Sequence, residues 1–397
     1  MATQKIPGRA IKLGTDTAGD VAYYDGAAWQ RLPIGTTGQL LTMNETETAP
    51  QWGPGCVFPG SQFGYVCGGY MGKWPDDTSG PNVGYGTAIQ KFSLTTDGNA
   101  TNVADILSGR RHQSGHSSNT HGFVVGGYQG QASSSLDIIE RFSFTTDSNS
   151  TDWADMTSIM NVHSAAASSC THGYSYGGED GVGPNRSVIN RFPFASQTTA
   201  TDWADCTIRQ HQATGCSSAT NGYGVGGRTF GALPDAWLNN IDKYPFASQT
   251  NATDIGDLVL ARGAGGGCSS ETHGFLVGGM NIVTNPGNSA PIWDRTNIDM
   301  FSFSSGTQNA VDHGDLPLEI SAGAHSNAGV SGETHGYSVG GIFSRNVNNH
   351  QWPREQIEKF AYASNVTATD VGDLQQAGTV NPTGTNWGMT GCSGHQF

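Results

Sequence analysis

The chain has 397 residues, 57 of them glycine, about twice the ordinary share, while charged residues make up only 13%, so the Ala, Glu, Lys and Leu enrichment of helical bundles and coiled coils is absent. Nineteen basic against 33 acidic side chains give a net charge of −14, which leaves no basic stripe for nucleic-acid phosphates or anionic membrane surfaces. No stretch approaches the roughly 20 apolar residues of a membrane helix, and the opening residues lack the apolar core of a signal peptide, so synthesis in a cytoplasm is expected, without membrane insertion.

In chain order the first element is a segment of residues 1–55 with two short alternating stretches, GDVAYYDGAAWQRL and GTTGQLLTMNETETAPQWG, separated by PIGTTG. So short a segment buries too little surface to stand alone and calls for oligomerisation or a docking partner. The pattern Gly19, Asp20, Tyr23, Tyr24, Asp25, Gly26, Trp29, Arg31, Leu32, then Gly35, Gly38, Gln39, Leu41, Thr42, then Pro50 and Trp52 resembles the N-terminal attachment segments of bacteriophage tail-fibre and related virion proteins. That resemblance implies attachment to other virion proteins through Tyr23, Tyr24, Trp29 and Trp52.

Residues 56–397 are organised by a repeat. A short strand ending in a glycine doublet recurs six times, at Gly68, Gly126, Gly177, Gly226, Gly278 and Gly340, with intervals of 58, 51, 49, 52 and 62. Each doublet is followed by an alternating aromatic or apolar pair: Phe92 and Leu94, Phe142 and Phe144, Phe192 and Phe194, Tyr244 and Phe246, Phe301 and Phe303, Phe360 and Tyr362. Thirteen residues after the first member, fourteen in the fifth repeat, stands an aspartate: Asp105, Asp155, Asp205, Asp257, Asp315, Asp373. A small-residue strand such as ATGCSSAT then leads to the next doublet. Four short strands per unit of about 50 residues predict an all-β fold, a six-bladed β-propeller whose blades bury their faces only against neighbours.

The first repeat lacks its small-residue strand, and the last stretch, GMTGCSG, supplies a match. The C-terminal strand is therefore expected to close the ring as the innermost strand of the first blade. The doublet, the aromatic pair and the arginines ahead of first strands (Arg110, Arg111, Arg209, Arg262) resemble kelch-like propellers, which implies architecture and little about function. Trp153 and Trp203 depart from that pattern.

Signatures of chemistry are weak. No HExxH, Walker loop or EF-hand loop is present. The run Gly263–Gly267 falls on an innermost strand, where close packing is expected. The paired aspartates (Asp152 with Asp155 and its counterparts) recur blade after blade, which suits turn capping better than a single catalytic site. The THG histidines (His121, His172, His273, His335) read as turn bonding. His112, His163, His211 and His325 lie near the start of innermost strands, where a metal or anion is a minor alternative. Cys56, Cys67, Cys170, Cys206, Cys216, Cys268 and Cys392 form no CxxC pair, so neither disulfides nor a thiolate metal site is indicated. No cofactor, no metal and no enzymatic activity is expected.

Variation is confined to one loop type. From doublet to aromatic pair the repeats take 23, 15, 14, 17, 22 and 19 residues, so one face of the disc is elaborated, and binding residues concentrate on such loops. The longer loops, in repeats one, four, five and six, each carry a tryptophan. Trp74, Tyr85, Trp237, Trp293, Arg295, His350 and Trp352 are the candidate ligand-binding residues. The expected function is a bacteriophage virion protein, a tail-fibre or receptor-binding subunit, recognising a host cell-surface glycan or protein as a homo-oligomer in the particle. Alternatives are a capsid or tail decoration protein with structural contacts only, and a carbohydrate-active enzyme.

Overall fold

A computed structural model of the chain describes residues 17–35, 39–43, 49–54, 62–71, 84–129, 134–158, 164–179, 186–229, 236–283, 292–304, 309–317, 326–344, 351–375, 386–387 and 390–393. Among these residues every regular element is a strand. The chain divides into two compact units, Met1–Val57 and Phe58–Phe397.

The first unit contains two antiparallel hairpins, Val21–Tyr24 with Trp29–Leu32 and Gln39–Met43 with Pro50–Pro54. Its polar motif residues are hairpin chemistry. Asp20 accepts from the amides of Thr17 and Ile34 and from Arg31 Nε, and these bonds, the Thr17 amide foremost, hold its carboxyl well below the usual range. Asp25 accepts from the amides of Ala27 and Ala28. Trp52 donates from Nε1 to the Pro33 carbonyl, and its ring covers Gly35, where a Cβ would lie 2.6 Å from it. Tyr24 and Trp29 meet edge-on at 5.8 Å and remain 56% and 45% exposed, whereas Tyr23 and Trp52 are half-buried.

The second unit is a six-bladed β-propeller of four-stranded antiparallel sheets. Blade 2 shows the plan: Ser114–Ser117, His121–Val125, Ile138–Ser143 and Thr151–Asp155, from the inside outward. Ring closure is as the sequence indicates. Thr390–Ser393 pairs with Phe63–Cys67 as the innermost strand of blade 1, Thr390 opposite Cys67 and Ser393 opposite Gly64.

Small residues are required at the centre. A Cβ on Gly215, Gly267, Gly329 or Gly391 would lie 2.0 to 2.2 Å from a carbonyl oxygen of the neighbouring innermost strand, so the Gly263–Gly267 run belongs to inner-ring packing. Serines link these strands: the amides of Ser117, Ser168, Ser217 and Ser269 donate to the hydroxyls of Ser168, Ser217, Ser269 and Ser331 in the next blade.

The aromatic pair builds the core between blades. Tyr65, Phe123, Tyr174, Tyr223 and Phe275 stack on Phe144, Phe194, Phe246, Phe303 and Tyr362 of the following blade, with centroids 4.7 to 4.8 Å apart. The first member of each pair covers the glycine opposite it; a Cβ on Gly122 would lie 2.3 Å from Phe142. Trp153 and Trp203 are buried on the outer strands beneath Arg141 and Arg191, which lie 3.7 and 3.6 Å from the indole centroids.

Candidate functional site

The site-bearing face follows from topology. In an antiparallel blade the second strand ends at the level where the innermost begins, so the second-to-third connections and the entries to the innermost strands share one face of the disc. The glycine doublet makes the bend there. Its first member has φ between 60° and 66° and its second between 94° and 113°, values that glycine alone adopts freely. The second amide donates to the entry of the next blade, Gly69 to the Arg110 carbonyl, Gly178 to Gln210 and Gly227 to Arg262.

Beyond the doublets the connections rise as short two-stranded ribbons: Tyr70–Met71 with Gly84–Tyr85, Tyr128–Gln129 with Ser134–Ser135, Met280–Val283 with Ile292–Asp294, and Ile342–Ser344 with Gln351–Pro353. In blade 4 the strands Asn221–Thr229 and Ala236–Pro245 continue through a bulge to the same effect. Asn386–Trp387 adds a third strand to the blade 1 ribbon.

Adjacent arginines serve opposite ends at blade 2. Arg110 is fully buried and pairs with Glu140, whose other oxygen accepts from the Leu107 amide and Ser150. Arg262 pairs likewise with Asp299 at 2.9 Å. Both are braces between blades. Arg111 instead lies on the ribbon face, its guanidinium 5.3, 5.8 and 5.3 Å from the rings of Tyr70, Tyr85 and Tyr128. Burial lowers the Arg111 pKa and raises that of Tyr85, both consequences of partial desolvation. In blade 4, Arg228 lies 5.2 Å from the half-buried Trp237 ring.

The candidates from the sequence therefore fare unequally. Tyr85 and Trp237 sit on the ribbon face, each braced by an arginine, and Arg295 is half-buried there with its amide bonded to the Gly279 carbonyl. Trp293 and Trp352 lie on ribbon strands. Trp74 and His350 lie outside the described residues. The tyrosine cage of Arg111 went unread, although the doublets of repeats one and two are both followed by tyrosine and Arg110–Arg111 stands between them.

The central shaft opens on this same face in a polar cavity of about 120 Å³. His112 lines it, but His211 does not; it is buried, pairing its backbone with Arg228. His163 and His325 lie outside the described residues. No group of three or more His, Cys, Asp or Glu converges among the described residues.

The recurring carboxylates and imidazoles have structural partners. Asp254, Asp312 and Asp370 accept from the amide two residues on, and Asp105 and Asp315 accept from the hydroxyls of Thr87 and Thr296. His121, His172, His273 and His335 each hold Nδ1 2.8 Å from the preceding threonine hydroxyl. Cys67, Cys206, Cys216 and Cys268 are buried thiols, in keeping with expectation. Cys170, on a half-buried turn, is disulfide-bonded, which corrects the expectation that no disulfide forms; the absence of a CxxC pair does not exclude a bridge between cysteines far apart in sequence.

No protein-family model and no curated protein matches the chain. Many solved structures do. One, described as the structure of YjhT, aligns at a TM-score of 0.54 with 10% identity, over 68% of this chain and 86% of that one. At that identity the likeness is one of fold, and the chain is a six-bladed β-propeller whose elaborated face gathers ribbons, braced aromatic rings and the shaft entrance.

Proposed function

We propose that the chain is a recognition module, a bacteriophage virion protein of the tail-fibre or receptor-binding kind, which binds a cell-surface glycan through the ribbon face. The observation that carries the recognition reading is the restriction of the ribbons among the described residues to one face of a rigid disc, with Tyr85 and Trp237 held half-exposed by Arg111 and Arg228. Flat rings with fixed orientation suit sugar faces, and arginine supplies donors to hydroxyl and carbonyl oxygens. The virion setting rests on the residues of the N-terminal unit, where Tyr24 and Trp29 present apolar surface for other virion proteins. Several copies on a particle would raise weak single-site binding through effective concentration.

Fluorescently labelled protein on a printed array of bacterial surface glycans tests the reading. Binding to a subset of spots is expected, reduced at least tenfold by Tyr85→Ala and Trp237→Ala with unchanged thermal midpoints. Binding to no glycan, or binding indifferent to both substitutions, overturns it.

A further inference from the structure

The shaft entrance differs chemically from the ribbons around it. Its cavity of about 120 Å³ is lined by His112, Gln113, Ser114, Ser164, Thr214 and Asn327 together with small residues of all six blades. No carboxylate and no lysine or arginine is among the described lining residues. Gln113 and Asn327 are 5% and 6% exposed. The Gln113 Nε2 donates to the Cys67 carbonyl at 2.7 Å, and the Asn327 Nδ2 to the Ser338 hydroxyl at 2.8 Å, which fixes both amide orientations. Their oxygens, and that of the neighbouring Gln212, are buried without a partner. A buried acceptor left without a donor costs about 1–3 kcal/mol.

The rim is preorganised. His112, Gln212, Ala264 and Ser326, at corresponding positions of four blades, are all left-handed with φ between 53° and 62°, a conformation side chains seldom hold without support. The Ala264 amide donates to the Gln212 carbonyl and the Ser326 amide to the Ala264 carbonyl, so successive blades hook together around the opening. Fixed walls lower the ordering cost of binding.

We infer that the shaft entrance binds one neutral polyhydroxyl unit, a single sugar ring; this deepens, and rests on, the glycan reading of the ribbon face. Sugar hydroxyls can donate to the amide oxygens and to the hydroxyls of Ser114 and Thr214, the latter already donating its own hydrogen to the Gly265 carbonyl, and can both donate to and accept from Ser164. An anion would meet buried acceptors with no lysine or arginine among the described lining residues, and a divalent cation would find none of the carboxylates that ordinarily hold it among them.

Calorimetric titration of the full chain with D-glucose, D-galactose, D-mannose, N-acetyl-D-glucosamine and D-glucuronate tests this. At least one neutral sugar is expected to bind with millimolar Kd, and glucuronate at least tenfold more weakly than glucose. Ser164→Phe, from a half-exposed position, should weaken the neutral sugar at least tenfold; Thr214→Val, which removes the hydroxyl together with its bond to the Gly265 carbonyl of the next blade, should weaken it as well at an unchanged thermal midpoint and serves if the first variant misfolds. Lys91→Ala, on the opposite face, should leave binding unchanged. No binding of any neutral sugar, tighter binding of glucuronate, or wild-type affinity in Ser164→Phe and Thr214→Val overturns the inference. Array binding that persists in both variants while no free sugar binds removes the shaft site and leaves the ribbon reading standing; loss of all array binding by the native chain removes the ribbon reading itself.

Discussion

His116 is the residue whose environment makes the sharpest demand. It is fully enclosed on the innermost strand of blade 2, its Nδ1 3.1 Å from the Ala167 carbonyl and its Nε2 3.1 Å from the Ser175 hydroxyl, with the Phe192 ring edge-on at 5.2 Å. These partners fit the neutral ring, with Nδ1–H donating to the carbonyl and Nε2 accepting from the hydroxyl. Desolvation lowers its pKa to about 4. The sign follows from linkage: with the folded value below the unfolded one, the unfolded chain binds the extra proton, so stability is full above about pH 6.5 and falls as pH drops towards 4. The span corresponds to about 3 kcal/mol. The half-buried His121, His172, His273 and His335 shift in the same direction, chiefly through burial. Urea midpoints measured from pH 7.5 to 4 should therefore decline, and His116→Gln should flatten that decline without abolishing it; an unchanged slope would show that His116 does not govern the acid limb.

At the scale of elements, the third and outermost strands share a bulge in every blade, beside Gln90, Glu140, Asn190, Asp242, Asp299 and Glu358. The bulge turns those side chains into the junction, where they accept from the preceding blade, for example from the Gln375, Thr207 and Val259 amides. In blade 6 the corresponding donor position is Pro317, which has no N–H, and Glu358 pairs with Arg354 of its own blade instead. The innermost strands are governed by close approach. Gly329→Ala would place a Cβ 2.2 Å from the Gly267 carbonyl oxygen, and a loss of about 2–4 kcal/mol is expected by chemical denaturation. Gly84→Ala on the blade 1 ribbon meets nothing within 4 Å and should change stability by less than about 1 kcal/mol. Comparable losses from both would refute steric crowding as the reason for inner-ring glycine. These strands were legible in the sequence because doublet, pair and aspartate recur sixfold and repetition separates signal from accident. The Arg111 cage was not, because Tyr70, Tyr85, Arg111 and Tyr128 come from four segments that only blade packing joins, and nothing local distinguishes Arg111 from the buried Arg110 beside it.

For the propeller as a whole the decisive feature is how the ring is shut. The junction between blades 6 and 1 repeats the bonds of the others: the Ala100 amide donates to the Asp373 carbonyl, the Asp373 amide to Asn99 Oδ1, and Tyr337 Oη to the Leu94 carbonyl. What is particular to it is that blade 1 takes its innermost strand from the other end of the chain, so covalent closure is replaced by the pairing of Thr390–Ser393 with Phe63–Cys67. Deleting residues 386–397 leaves the Phe63–Cys67 edge unpaired on the shaft while sparing the outer bonds. A destabilisation on the order of 5 kcal/mol or loss of the fold is expected, seen as a lowered thermal midpoint and binding of a hydrophobic dye. Moving residues 386–397 ahead of Gln62 restores the continuous order of the other five blades, with Ser393 and Gly64 already paired across the turn. That permuted propeller should recover most of the loss. If the truncated chain melts like the intact one, the terminal strand is not what closes the ring energetically, and closure must reside in the outer bonds and the stacked aromatic rings.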